Sequence, residues 1–334
     1  MKFSLHYTLQ SKGSWNSTYR DFLSEAALAE RLGFHALYVG EHHFAPDGWC
    51  PSPVTALASA AAVTSRMKLG TDIIVLPLHD PVRVAEDIAV LDNFSNGRCI
   101  VGIGLGYRRE EYAAFATDFE KKKEIYESKI ETVKRLLQKE AVRVNGVDVK
   151  VYPTPVQEPR PPVWLAAKSD AAIKSALVRG EAWIMDPVTP LSLLNRKMRM
   201  YREVAKKTGK EVRDFPLRRE CFVSKDERKL EKAERLILES YKEDYYSWGH
   251  LMTGEGDPVD PKLTSFDELR EPLLEEMLVG TPPEVVEKLE AYRGSLGATE
   301  MLLKLMFPGI THSMREECIT LIGHDIVPAF RGEA

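Results

Sequence analysis

Eight short apolar or β-branched runs, each followed or preceded by a longer amphipathic segment, predict an α/β chain folded as a single (β/α)8 TIM barrel. Two further observations favour that class over a doubly wound sheet. The alternation continues throughout the 334 residues, and no shift in composition divides them into two domains. A β-hairpin insertion and a long late loop excursion are the expected departures from the regular pattern.

The first unit is "KFSLHYTL" followed by "TYRDFLSEAALAERLG", whose Gly33 suits a helix C-cap. "HALYVG" is the second strand. After a loop rich in Gly, Pro and Trp, Ser52 can cap and Pro53 can start the helix of "SPVTALASAAAVTS". "MKLGTDIIVL" and "DPVRVAEDIAVLDNFSNG" repeat the pattern, with Asp80 and Pro81 as the start signal. "RCIVGIG" then leads through a Gly-rich loop to a charged helix over 118–139. "VRVNGVDVKVYP" alternates around Asn145-Gly146, which predicts a hairpin inserted at about 140–152. The fifth unit is "PPVWLAA" with "SDAAIKSALVRG", the sixth "EAWIMD" with a helix over 188–208, and the seventh "FPLRRECFVS" with a helix over 226–246. Residues 247–282 read as an excursion with weak regular structure, a kind of loop more often a lid than a scaffold. A helix over 283–294, the strand "EMLLKLMF" and a helix over 313–330 complete the series.

Composition narrows the function. The formal charge of -4 is spread without basic blocks, which argues against a nucleic-acid surface and for a small-molecule partner. The four cysteines, Cys50, Cys99, Cys221 and Cys318, form no CxxC pair, so neither a disulfide framework nor a zinc ribbon is indicated. No signal-peptide pattern and no apolar run of membrane-spanning length is present, and the expectation is a soluble protein of the cytoplasm.

In such a barrel the active site lies where the strands end, so the residues just after each apolar run are the candidates. These include His6 to Thr8, Glu41 to His43, Asp72 to Pro77, Gly102 to Tyr107, Ala167 to Ser169, Asp186 and Met306. Adjacent side chains on a strand point to opposite faces, so His42 and His43 cannot both face the barrel while the chain stays extended. That spacing disfavours a metal pair, which needs His-x-His, and no metal is expected. A single imidazole at the mouth suits proton transfer or hydrogen bonding. Gly102, Gly104 and Gly106 do not form a dinucleotide fingerprint or a P-loop; they let backbone approach a flat ligand or serve a turn with positive φ. In "AAKSDAA", Ser169 or Asp170 can cap a helix, and Lys168 with the free N–H groups offers an anion site. An ordinary capped helix with an exposed lysine would read the same way.

The strings "YVGEHHF", "KLGTDIIVLPLHDPVRVAEDIAVLDNFSNGR" and "VGIGLGYRREEYAAFATD" resemble the bacterial luciferase-like flavin-dependent monooxygenases. The resemblance continues through "PPVWLAAKS" to "GTPPEVVEKLEAYRGSLGATEMLLKLMFPG" and "DIVPAF". It implies a barrel that takes reduced FMN from a separate flavin reductase and reacts it with O2, through a flavin hydroperoxide, to oxygenate a small organic substrate. It implies His42 as the catalytic histidine, with Glu41 and His43 orienting it or shaping the pocket. A turn close to the flavin, which can carry a non-proline cis peptide, falls at Asp72 and Ile73. Gly104, Leu105 and Gly106 fall on the fourth-strand loop, Lys168 and Ser169 on the phosphate turn, and Asp186 and Met306 on flavin-facing strand ends. "APDGWC" falls on the wall of the substrate pocket.

This chain departs from luciferase at two places. Leu105 stands where luciferase has a phosphate-holding arginine, and Lys168 where it has an acid, so a positive charge moves from the fourth loop to the fifth, with Arg108 and Arg109 also within the region. Family members usually form dimers through helices beside the second and third strands, which gives "DPVRVAEDIAVLDNF" that role and a homodimer as the expectation. The alternatives are a deazaflavin-dependent oxidoreductase of the same family, a metal-dependent barrel hydrolase built on His6, His42 and an acid, and a flavin-binding protein without catalysis.

Overall fold

The computed structural model describes residues 1–185, 187–210, 214–253 and 256–330. Twelve strands are present: β1 Lys2–Tyr7, β2 Ala36–Val39, β3 Lys68–Thr71, β4 Ile74–Val75, β5 Cys99–Gly104, β6 Val142–Val144, β7 Val147–Val149, β8 Val163–Ala166, β9 Ala182–Ile184, β10 Pro216–Val223, β11 Leu278–Gly280 and β12 Glu300–Lys304. All pairings in the main sheet are parallel, in the order β11-β10-β12-β1-β2-β3-β5-β8-β9, with β4 added to β5. A bridge from Met185 to Leu217 joins β9 to β10 and closes the barrel. The eight expected strands form its wall, with helices packed outside.

Strand alternation sorts the side chains into an outer core and a lumen. Ala36, Tyr38, Ile100, Trp164, Ala182, Ile184 and Leu302 pack inside the barrel as one cluster, with Tyr38 stacked on Trp164 at 5.6 Å. Gly70, in register with Tyr38, makes room for that ring: a Cβ there would sit 2.2 Å from it. Below this layer the buried Glu300 accepts from Ser4 Oγ at 2.6 Å and Tyr38 Oη at 3.0 Å. Above it lie His6, Asp72, Arg218 and Lys304, all buried.

The helix starts follow the capping chemistry seen in the sequence. Asp80 accepts from Val82 N and Arg83 N, with Pro81 at the first position of its helix. Ser52 makes no side-chain capping bond, although Pro53 does open the next helix as expected. The inserted strands β6 and β7 pair antiparallel around Asn145 and Gly146, both with positive φ, 49° and 84°.

The excursion departs from expectation, because it contains a helix, Phe266–Glu276, and the strand β11, which pairs with the upper half of β10. Pro272 inside that helix interrupts its pattern, and a strand of three residues is too short to show periodicity. The charged helix expected over 118–139 is Lys122–Leu137, and a separate short helix that was not expected, Arg109–Ala114, precedes it. That short helix helps to build the site described next.

Candidate functional site

Glu41, His42 and His43 follow β2 in irregular backbone, and the two imidazoles enter separate networks. His42 Nδ1 lies 2.9 Å from Glu111 Oε1, and its Nε2 lies 3.1 Å from Tyr107 Oη. The same Glu111 oxygen accepts from His43 N at 2.9 Å and from Arg108 Nη1 at 3.1 Å. Burial pushes the Glu111 carboxyl up, but its bonds from His42 and His43 N and the charge of Arg108 outweigh that and hold it below the ordinary range. A carboxylate at Nδ1 requires the proton there, which leaves Nε2 as the acceptor facing Tyr107. Burial also raises the Tyr107 phenol well above its ordinary range, so it stays protonated and can donate.

Aromatic rings wall the imidazole. Trp49 meets His42 edge-on at 4.7 Å, Trp248 lies at 5.1 Å, and Tyr107 stacks on His250 at 3.9 Å. The Arg108 guanidinium covers Trp248 at 4.3 Å. Trp248 and His250 belong to the late excursion, which therefore packs directly over His42. Lys168, the expected phosphate ligand, donates to His250 O at 2.7 Å across this contact. Ser169 caps the helix Asp170–Val178 by accepting from Ala172 N.

Glu41 does not orient His42. Only His42 separates Glu41 from His43, and the two outer residues join one network while His42 joins another. Glu41 Oε1 lies 2.6 Å from His43 Nε2 and 2.7 Å from His79 Nε2, and Oε2 accepts from Val75 N. Burial opposes this charge, but the bonds from His43 and His79 hold the Glu41 carboxyl below the ordinary range. These three residues are the one group among those described whose donor atoms lie close enough to hold a metal ion. A hydrolase centre on His6 and His42 has no such grouping. His6 instead contacts the Asp72 carbonyl at 3.1 Å and carboxylate at 3.3 Å, with Arg218 at 3.4 Å. Burial, then the Arg218 charge, keeps this imidazole neutral.

The Asp72–Ile73 peptide is cis. The segment it belongs to explains the glycines: a Cβ on Gly102 would lie 2.0 Å from Thr71 O, on Gly104 2.6 Å from Ile73 Cδ1, and on Gly106 2.4 Å from Val75 Cγ1. Gly106 also has a φ of 71°. These positions are thus bare because the chain itself presses on them. Ile73 is half-buried and packs with Ala166 against the lumen cluster, forming an apolar shelf at the mouth. Leu105 contributes its carbonyl to Tyr112 Oη. Met306, buried beyond β12, stands four strands round the wall from β5. Asp186 lies outside the described residues.

Glu111, His79 and Trp248 were not among the sequence candidates. The pair of acids in "YRREEY" was the available signal for Glu111, since one of two adjacent acids opening a short helix turns back toward the mouth. His79 and Trp248 carried no local signal.

The family profile of luciferase-like monooxygenases matches residues 1–299. The uncharacterised protein y4vJ of Sinorhizobium fredii is 27% identical over 337 residues, covering 94% of this chain and 92% of that one. The oxygenase component of flavin-dependent trigonelline monooxygenase from Acinetobacter baylyi is 29% identical over 203 residues, 58% of this chain and 55% of that protein. The crystal structure of the monooxygenase RslO1 from Streptomyces bottropensis superposes with a TM-score of 0.85 at 25% identity, covering 99% of this chain and 100% of that one. With the profile spanning most of its length and the barrel shared from end to end, the chain belongs to the luciferase-like monooxygenase family.

Proposed function

We propose that this enzyme is the oxygenase of a two-component system, taking reduced FMN from a flavin reductase and using O2 to oxygenate a small organic substrate. The observation that carries the reading is His42, held at Nδ1 by Glu111 and presenting Nε2 inside a mouth walled by Trp49, Tyr107 and Trp248. Unmet polar atoms at this end of the barrel fit a polar heterocycle. His6 Nδ1 and Arg218 Nε have no partner among the described residues, and the Ile73 shelf offers an apolar face beside them.

Asp72, Ile73 and the Gly104, Leu105, Gly106 turn would line the isoalloxazine, together with Asp186 and Met306. Lys168, Ser169 and the N–H groups opening the helix Asp170–Val178 would hold the phosphate. When bound, reduced FMN would supply the two electrons with which O2 gives one oxygen atom to the substrate and the other to water. His42 Nε2 takes or returns the proton this requires, with Tyr107 positioned to pass it and Glu111 stabilising the imidazolium. Trp248 and His250 act as a lid that keeps water from the reacting centre.

A homodimer is part of this reading. The helices Pro53–Ala61 and Pro81–Phe94 flank a cleft of about 400 Å³, and Val90 and Phe94 remain exposed there or nearby. Among the described residues, no helix is long and apolar enough to cross a membrane. The test is a titration of the full-length protein with reduced FMN and with a reduced deazaflavin, followed by product screening with a flavin reductase, NADH and O2. Tight reduced-FMN binding with oxygenated product supports the reading. Binding of the deazaflavin alone overturns it in favour of hydride transfer.

A further inference from the structure

Lys304 is a charged group at the barrel mouth that the proposed chemistry does not use. It ends β12, points inward level with His6 in the register, and is fully buried. Its Nζ has no hydrogen-bond partner among the described residues. Three rings surround it, with centroids at 4.5 Å for Phe307, 4.9 Å for Trp49 and 6.0 Å for Tyr245. Burial pushes the ammonium down to about 8, against the pull of Glu220 and with the help of Arg218. A buried ammonium without a hydrogen-bonding partner is destabilising, and a site that keeps one is commonly shaped by a ligand.

A second donor beside it is equally unmet. Trp49 Nε1 is buried without a partner among the described residues, and the same indole packs edge-on against His42. Glu220, buried and in register with Lys304, is the nearest opposing charge, and the other neighbouring acids are engaged by side chains. Gln10 Nε2 donates to Asp47 at 2.5 Å and to Asp244 at 3.0 Å, and Ser240 donates to Asp244 at 3.1 Å. The π-helical turn Lys242–Tyr246 aims Asp244 and Tyr245 into this half of the mouth, where Tyr245 also accepts from Arg218.

The two halves of the wall divide the work. The shelf, the glycine turn and Lys168 belong to the ends of β3 to β5 and β8, whereas Lys304 ends β12, Trp49 lies in the loop after β2 and Tyr245 in the π-helical turn Lys242–Tyr246. His42 stands between them. We propose that Lys304 and the Trp49 indole N–H, walled by Tyr245 and Phe307, bind a carboxylate of the organic substrate and so hold its body against His42. The proposal deepens the oxygenase reading by naming its substrate class, while the binding step needs no flavin.

The test follows Trp fluorescence of the full-length, flavin-free protein as benzoate or benzamide is added, from about pH 6.5 to about 9.5. Benzoate is expected to bind at least about tenfold more tightly than benzamide, as a charge-assisted contact in a buried site requires. Its affinity should fall as the pH rises past about 8. Lys304→Met should abolish the preference and Lys304→Arg should keep it. Benzoate that fails to saturate, equal affinity for the two probes, or a preference unchanged in Lys304→Met overturns the proposal. A parallel FMN titration on the same protein separates the two readings: benzoate preference without FMN binding sinks the oxygenase reading alone, and FMN binding without the preference sinks this one alone.

Discussion

Replacing Lys304 with methionine should stabilise the fold at neutral pH, and the size of the effect follows from the burial of its ammonium. In the unfolded chain this lysine titrates near 10.5, and in the folded protein burial brings it to about 8. Each unit is worth about 1.4 kcal/mol, so holding the charge inside the barrel costs about 3 kcal/mol. The sign is that of a base with a depressed folded pKa. Below pH 8 both states are protonated and the full penalty applies; between about 8 and 10.5 the unfolded state binds more protons, so stability from this group rises with pH. Methionine is of similar length and carries no charge, and its thioether suits the ring of Phe307, Trp49 and Tyr245. The assay is urea unfolding of both proteins, followed by circular dichroism, at steps from about pH 7 to about pH 10. The variant should lead by up to about 3 kcal/mol at neutral pH, with the gap closing steadily above pH 8. Parallel curves for the two proteins would refute the reasoning, because an exposed or well-paired lysine gives no such slope.

Glu111→Gln should lower kcat by about 10- to 100-fold, since an amide cannot hold His42 Nδ1 and stabilise its cation as a carboxylate does, whereas His42→Ala should cost about 10²- to 10⁴-fold. Coupled assays with a flavin reductase read both, and an unaltered pH profile in Glu111→Gln would count against its positioning role. Glu300 presents the opposite linkage: burial raises its carboxyl from 4.5 to about 7, so stability from this group is full below 4.5 and is lost as pH rises through 7. Glu300→Gln keeps an acceptor for Ser4 and Tyr38 and should gain up to about 3 kcal/mol above pH 7, vanishing near pH 4.5 in urea titrations. Gly102→Ala should destabilise by about 3 kcal/mol or more in thermal melts, because its Cβ would meet the Thr71 carbonyl, a backbone atom that cannot swing away.

The barrel was legible because its signals are local. Most wall strands are apolar runs, β10 with its Arg218-Arg219-Glu220 being the exception, and Gly33, Asp80 and Pro81 mark helix ends where the caps are found. His42 and His43 do enter separate networks, although the chain there is irregular and not the extended strand from which alternation argued. The partner of His42 was not legible, because Glu111 sits 69 positions away and nothing in the chain's periodicity links them. The same holds for His79 beside Glu41 and for Trp248 above His42. The glycines of "GIGLG" were visible, but their cause was not: the segment from Thr71 to Val75 fills the space that side chains there would need. Lys304 carried no signal at all, since an inward lysine in "EMLLKLMF" reads as the polar face of an ordinary strand until the barrel closes around it.

Where two strands of a closed barrel share few backbone bonds, side chains carry more of the joint. Around this wall the neighbouring strands share two or more register partners, whereas β9 and β10 meet at the single bridge from Met185 to Leu217 among the described residues. Arg219 crosses that seam like a stitch, donating to Pro187 O at 2.8 Å and Thr189 O at 2.9 Å just beyond β9. Its guanidinium is also bonded to Tyr292 and Glu276, so one buried side chain ties both strand ends of this seam to the helices outside them.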